Sequence, residues 1–236
     1  MSGSEFIIFQ NNRHMWIVLP AYNEETVIKD VIREIQAAGY RNIIVVDDGS
    51  HDQTFEKAKE MDVIALRHPI NRGKGAATKT GIEAAKLLGA GIIVTMDSDG
   101  QHNPADIARL IEPIQKNHCA VVLGTRLKNP KGMPWYKIIA NHIGNAITWY
   151  FYGLYVSDSQ SGFRAYSRHA SELINTKTDR YEYDSEVIRE IYLYKLKYRE
   201  VPIEVRYTEY SMGKVQKQGF INGLKTFYKI IFNLVS

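Results

Sequence analysis

Residues 92–102 read Ile-Ile-Val-Thr-Met-Asp-Ser-Asp-Gly-Gln-His. The first half is an apolar, β-branched run too short for a helix, which predicts a buried strand. The second half sets two carboxylates, Asp97 and Asp99, one residue apart just past the strand end. Alternation in an extended chain turns residues i and i+2 to the same side, so both can face one point, and Gln101 continues the spacing. Hard oxygen donors of this kind suit Mg²⁺ or Mn²⁺, ions often held by one or two carboxylates plus substrate phosphates. Gly100 lets the chain turn sharply there. The competing reading is an Asp-rich turn ahead of a helix that starts near Pro104, and the rest of the chain has to decide between them.

Working outward, apolar runs at 16–19, 42–46, 63–66 and 120–124 predict four more strands. Between them lie helical patterns. The first runs through Val27, Ile28, Val31, Ile32 and Ile35 and stops at Gly39; others are expected from 52 to 61, from 76 to about 88 and from 104 to about 116. Strands alternating with helices predict βαβ units, a mainly parallel sheet and right-handed crossovers. In such a sheet ligands sit outside the carboxyl ends of the strands. The polar residues fall there: Tyr22, Asn23 and Glu24 after strand one, Asp47 and Asp48 after strand two, Asp97 and Asp99 after strand four, Thr125 and Arg126 after strand five. Residues 71–75, Asn-Arg-Gly-Lys-Gly, form either an exposed turn or a basic loop that contacts phosphate or base; their spacing is not that of a P-loop, and no Gly-x-Gly-x-x-Gly follows strand one.

The chain has 236 residues, room for one sizeable α/β domain or two small ones. A net charge of +4 is too mild to argue for nucleic acid. One cysteine, Cys119, excludes a disulfide framework and a zinc set. No stretch offers the ~18 consecutive apolar residues of a membrane span, and no basic segment followed by an apolar core opens the chain. A cytoplasmic protein is expected.

Together these pieces resemble family 2 glycosyltransferases of the GT-A fold, in the branch of dolichyl-phosphate mannose and polyprenyl-phosphate glucose synthases. The resemblance is carried by Leu-Pro-Ala-Tyr-Asn-Glu-Glu at 19–25, Val-Val-Asp-Asp-Gly-Ser at 45–50, the segment 71–75, Met-Asp-Ser-Asp-Gly-Gln-His at 96–102, Gly-Thr-Arg at 124–126, Asp-Ser-Gln-Ser-Gly-Phe-Arg at 158–164 and Glu-Val-Pro-Ile at 200–203. It implies an α/β GT-A catalytic domain over 14–212 and an inverting transfer of a hexose from a GDP- or UDP-sugar to a polyprenyl phosphate at the cytoplasmic membrane face. Pro20, Tyr22 and Glu24 would line base and ribose, and Asp48 would meet the base edge. Lys74 and Ser98 belong to the same donor site, and Asp97 would contact the ribose or sugar. Asp97, Asp99 and Gln101 would hold Mg²⁺ or Mn²⁺ on the diphosphate, and Arg126 would add a phosphate contact. Asp158 would stand by the acceptor, as a base for a hydroxyl or as a positioning group for a phosphate; Arg164 would attract the acceptor phosphate or pair with Asp158.

Beyond strand five, residues 135–152 show helical spacing rich in aromatics, either packed on the sheet or interfacial beside a lipid acceptor. His142 reads as a packed histidine. A helix over 183–198 carries Glu186, at a position where the family often has an acid, and a strand is expected over 199–207. A polar loop over 208–218 places Lys214 as a phosphate contact. Residues 213–236 form a basic amphipathic segment that docks on the domain or on an anionic membrane. Two other acceptor and function classes compete with the lipid phosphate: a saccharide hydroxyl, and a nucleotide-sugar-binding protein without turnover. A sugar-nucleotide pyrophosphorylase would need a Gly- and Arg-rich signature after strand one, which 21–25 lacks.

Overall fold

The apolar run at 16–19 becomes the hub of the sheet. In the computed structural model, which describes residues 14–128, 133, 135–180 and 182–206, β1 (Met15–Ala21) pairs in parallel with β2 (Ile43–Asp47) and with β4 (Ile92–Thr95). β3 (Ile64–Arg67) adds to the outer side of β2, giving a seven-stranded sheet of order β3-β2-β1-β4-β6-β5-β7. Alternate residues of β1 feed opposite faces. Ile17 and Leu19 pack with α1 (Ile28–Ala37) and α4 (Ile107–Gln115), whereas Val18 packs with Ile44, Ile93 and the alanines of α3 (Lys74–Leu87). α1 buries Ile28, Val31, Ile32 and Ile35, the stripe read from the sequence, and ends before Gly39 at φ 93°. The short α2 (Thr54–Lys59) follows β2.

The sheet departs from a simple parallel run at β6 (Arg164–Ser167), which inserts antiparallel between β4 and β5 (Val121–Thr125). Four residues led by an arginine give no apolar run, so no strand is legible there. The two flanking strands each present an unpaired edge, and the 164–167 backbone satisfies both. α6 (Arg168–Leu173) follows at once, capped by Ser167 Oγ on the Ala170 amide at 3.2 Å. β7 (Tyr198–Pro202) adds in parallel to β5; it stops at Pro202, short of the expected 207, because its partner strand ends at Thr125, whose carbonyl takes a last bond from the Ile203 amide at 3.1 Å. A third apolar cluster joins Val121, Leu123 and Tyr166 to Tyr183, Val187 and Ile188 of α7 (Glu182–Leu193).

α5 (Trp135–Tyr152) lies beside α7 through a buried polar seam, with Thr148 Oγ1 at 3.2 Å from Ser185 Oγ. His142 on α5 is exposed and not packed, because the helix buries Asn145 and Thr148 instead. Lys214, the 208–218 loop and the 213–236 segment lie outside the described residues.

Candidate active site

Because only β6 runs against the others, the carboxyl ends of β1, β2, β4 and β5 meet the amino end of β6 along one edge. β4 ends at Thr95, whose hydroxyl donates to the Gly162 carbonyl at 2.8 Å. Ser98 turns inward and donates to the Pro20 carbonyl at 2.7 Å, tying the end of β4 to that of β1. Asp97 and Asp99, on either side of it, remain half-buried at the edge. Gly100 turns the chain at φ 77°, and the Gln101 amide comes back to donate to Asp99 Oδ1 at 3.0 Å. Gln101 therefore meets Asp99 through its main chain.

Asp97 is held from two sides. Lys74 Nζ, from the first residue of α3, lies 2.7 Å from Oδ1, and His102 Nε2 lies 3.3 Å from Oδ2. Lys74 also reaches Asp184 of α7 at 3.4 Å. Burial works against the ionised form of Asp97, but the Lys74 ammonium and His102 outweigh it and hold the carboxyl well below the ordinary range. Burial likewise opposes the ammonium of Lys74, and Asp184 and Asp97 outweigh it and raise its pKa. Asp99 goes the other way: burial and then the neighbouring charge of Asp97 raise its carboxyl above the ordinary value. Gly162 makes the cluster possible, since a Cβ there would fall 2.6 Å from Lys74 Nζ and 2.7 Å from Asp97 Oδ1.

The segment 71–75 begins exposed at Asn71 and Arg72 and is tied down from below. Asp48 is buried and takes two of its amides: Oδ1 accepts from the Arg72 amide at 3.0 Å and meets His68 Nδ1 at 2.7 Å, while Oδ2 accepts from the Gly73 amide at 2.6 Å. The Ala76 amide donates to the Asp179 carbonyl at 3.0 Å. The glycines answer a packing demand. A Cβ on Gly73 would meet Asp179 O at 2.5 Å, and one on Gly75 would meet Tyr183 Cβ at 2.6 Å. What this segment delivers to the site is the side chain of Lys74. At the end of β1, Tyr22 is 36% exposed and stands edge-on to His51 with ring centroids 6.3 Å apart. Glu24 is buried beneath it, its amide donating to Thr54 Oγ1 at 2.8 Å.

At the other end of the edge, Arg126 and Asp158 form a bidentate pair. Arg126 Nε donates to Oδ2 and Nη2 to Oδ1, each at 2.7 Å, and the Arg126 amide adds a bond to Oδ2 at 2.9 Å. Of the two partners considered for Arg164, Asp158 is taken by Arg126. Arg164 is 1% exposed and donates to the carbonyls of Ser161, Ser159 and Asp184 at 2.8, 2.8 and 2.9 Å. Its guanidinium braces the 158–164 loop from within, and this burial corrects the expectation that it reaches for an acceptor. Glu186 is likewise no solvated helix charge: it clamps the amides of Lys177 and Thr178 at 3.0 and 2.8 Å. Asp184 and His102, which no local signal singled out for a role, stand in the cluster instead.

The Asp97–Asp99 pair fits a divalent cation bound with a diphosphate. Lys74 and His102 both sit on Asp97, and among the described residues no ion pair reaches Asp99. Burial and the neighbouring charge of Asp97 raise its carboxyl, and a bound cation would offset both. Among the described residues no group of three or more His, Cys, Asp or Glu gathers to hold a metal.

Comparison with known proteins agrees with this edge. The family model for glycosyl transferase family 2 matches residues 16–174. The UDP-N-acetylglucosamine–dolichyl-phosphate N-acetylglucosaminyltransferase of Methanococcus voltae is 41% identical, over 92% of this chain and 94% of that protein. The polyprenol monophosphomannose synthase of Mycolicibacterium smegmatis is 28% identical over 67% of this chain and 63% of its own. Among solved structures, glucosyl-3-phosphoglycerate synthase from Mycobacterium tuberculosis, in complex with Mn²⁺, UDP and phosphoglyceric acid, superposes with a TM-score of 0.68 at 20% identity, over 94% of this chain and 81% of that one. The strand order, the paired aspartates at the end of β4 and the family match have one reading: the chain belongs to glycosyl transferase family 2.

Proposed function

We propose that this protein is an inverting, divalent-cation-dependent hexosyltransferase that moves a sugar from a nucleotide sugar to a polyprenyl phosphate at a membrane surface. The observation that supports it most is the near full-length similarity to the M. voltae dolichyl-phosphate transferase, which also makes UDP-N-acetylglucosamine the first donor to test. Asp99, with Asp97, would hold the cation against the donor diphosphate. Mg²⁺ or Mn²⁺, when bound, neutralises charge growing on the leaving nucleoside diphosphate. Lys74 keeps Asp97 ionised and oriented. Tyr22 and Glu24 lie at the end of β1, where base and ribose would sit.

Arg126 supplies a guanidinium suited to a phosphate. Asp158 holds that guanidinium with both oxygens and takes the Arg126 amide as well, so most of its acceptor sites are spent on Arg126, which suits positioning better than proton transfer. A phosphate acceptor asks for no base, because its oxygen is already anionic. That oxygen attacks the anomeric carbon as the carbon–diphosphate bond breaks on the opposite side. The exposed aromatic face of α5 is where the lipid portion would lie.

Nucleoside diphosphate release tests this reading, with UDP-N-acetylglucosamine, UDP-glucose or GDP-mannose, Mn²⁺ or Mg²⁺, and with or without a short polyprenyl phosphate. Lipid-stimulated, cation-dependent release that Asp99→Ala reduces by about 10²-fold or more is expected. Donor binding without lipid stimulation would discard the acceptor, and absence of cation-dependent donor binding would discard the transferase.

A further inference from the structure

Asn145 lies in the middle of α5 and is 1% exposed. An asparagine inside a helix competes with the backbone for hydrogen bonds, and a buried amide is tolerated only when its bonds are made. Here they are spent on one loop. Nδ2 donates to the Ser157 carbonyl at 2.5 Å, and Oδ1 accepts from the Ser159 amide and the Ser159 hydroxyl, both at 2.9 Å. One side chain thus grips the residue on each side of Asp158. Thr148, one turn further on, adds its hydroxyl 3.3 Å from Ser159 Oγ. From the opposite side Glu200 of β7 accepts from the Ser157 amide at 2.5 Å and from its hydroxyl at 2.8 Å. The Asp158 carboxylate, set between these anchors, makes the three bonds to Arg126.

We propose that Asn145 is a positioning residue for the acceptor end of the site: it fixes the loop that carries Asp158 and, through Asp158, the guanidinium of Arg126. Asn145 touches neither Asp158's carboxylate nor Arg126, so the link runs through the loop backbone. It also joins the acceptor end to α5, whose Ile143 and Tyr150 face solvent on the side of the helix away from Asn145. The kinetic arm of the test rests on the acceptor reading above; the exchange arm does not.

Hydrogen exchange on the full chain, read amide by amide, needs no substrate. Asn145→Ala should accelerate exchange at both Ser159 and Arg126 by about tenfold, with β1 and β4 amides unchanged. The Arg126 amide is diagnostic, since its bond is to Asp158 and not to Asn145. Acceleration at Ser159 alone would overturn the proposal. In turnover, kcat with polyprenyl phosphate should fall about tenfold while the donor KM stays within about twofold; an equal loss on the donor side would overturn it. If wild type transfers nothing to polyprenyl phosphate, the acceptor reading falls and the Arg126 amide alone decides. If Asn145→Ala does not fold, Ser159→Ala decides in its place: an Arg126 amide about threefold faster supports the link, and an unchanged one overturns it.

Discussion

Asp97 and Asp99 are two residues apart and chemically identical, yet their surroundings drive them in opposite directions. Lys74 and His102 sit on Asp97 and hold its charge, whereas Asp99 has the Gln101 amide and a negative neighbour. A carboxyl whose pKa is raised on folding contributes stability that is complete below its unfolded value and is lost as pH rises through the folded value. At neutral pH, above the range in which the unfolded carboxyl titrates, this raised pKa therefore weakens the cation-free fold, a cost of the kind binding sites carry. Asp99→Asn should raise Tm in chelator at neutral pH, by on the order of 2 °C for a chain of this size, and the gain should vanish below the ordinary carboxylate range. The same variant should lose the Tm increase that Mn²⁺ with UDP gives wild type. Calorimetry checks both, and a lower Tm in chelator would refute the argument. The Asp-x-Asp pair is legible from sequence because alternation is local. Its partners are not: Lys74 and Asp184 are 110 positions apart, and no period in either segment announces their meeting. Arg164 shows the same limit from the other side, since a motif arginine reads alike whether it faces a ligand or, as here, two carbonyls of its own loop and one of α7.

Among the elements, β1 to β5 were readable because each is an apolar run bounded by turn residues, and α1 because its stripe is undiluted. β6 was not, since its pairing comes from edges that other strands leave open. α3 lies between these cases. Its pattern is legible, but its start at Lys74 is set by Asp179, Arg180 and Tyr183, which follow β6 and pack on Gly73 and Gly75. Its middle is set by closeness to β1, where a Cβ on Gly81 would collide with the branched end of Val18. Alanine in place of a helical glycine ordinarily gains about 0.5–1 kcal/mol, whereas overpacking a well-filled core costs about 1–3 kcal/mol. The second wins at this position because Val18 is fully buried in a central strand and has nowhere to rotate. Gly81→Ala should therefore lower stability by about 1–2 kcal/mol, equivalent to a Tm lower by about 2–8 °C. A thermal melt that matches or exceeds wild type would show that α3 can lift off β1 at no cost.

At the scale of the molecule, Ile70, Leu87 and Leu88 are exposed outside α5 and α7, and most of the other large exposed apolar side chains are Ile139, Ile143, Trp149 and Tyr150 of α5, Tyr155 after it, and Tyr192, Leu193 and Tyr194 at the end of α7. Trp149 and Tyr155 meet edge to face, with centroids 6.3 Å apart, so the patch is continuous where α5 ends. Among the described residues no helix is long and apolar enough to cross a membrane. A helix with buried Asn145 and Thr148 on one side and exposed Ile139, Ile143 and Tyr150 on the other suits the plane of an interface. Tyrosine and tryptophan prefer that depth, with ring in the hydrocarbon margin and polar atom in water. The same helix grips the Asp158 loop, so a lipid lying along α5 would bring its phosphate towards Arg126. Wild type should co-sediment with vesicles of mixed neutral and anionic lipid, and Ile143→Glu or Tyr150→Glu should lower the partition coefficient by about tenfold, the equivalent of about 1.4 kcal/mol, below the value of fully burying one large apolar side chain. With a short, water-soluble polyprenyl phosphate the two variants should keep the donor KM within about twofold of wild type, since neither side chain faces the cluster at the sheet edge. Unchanged sedimentation would move the membrane contact off α5, and a shifted donor KM would show that the substitutions reach the cluster at the sheet edge.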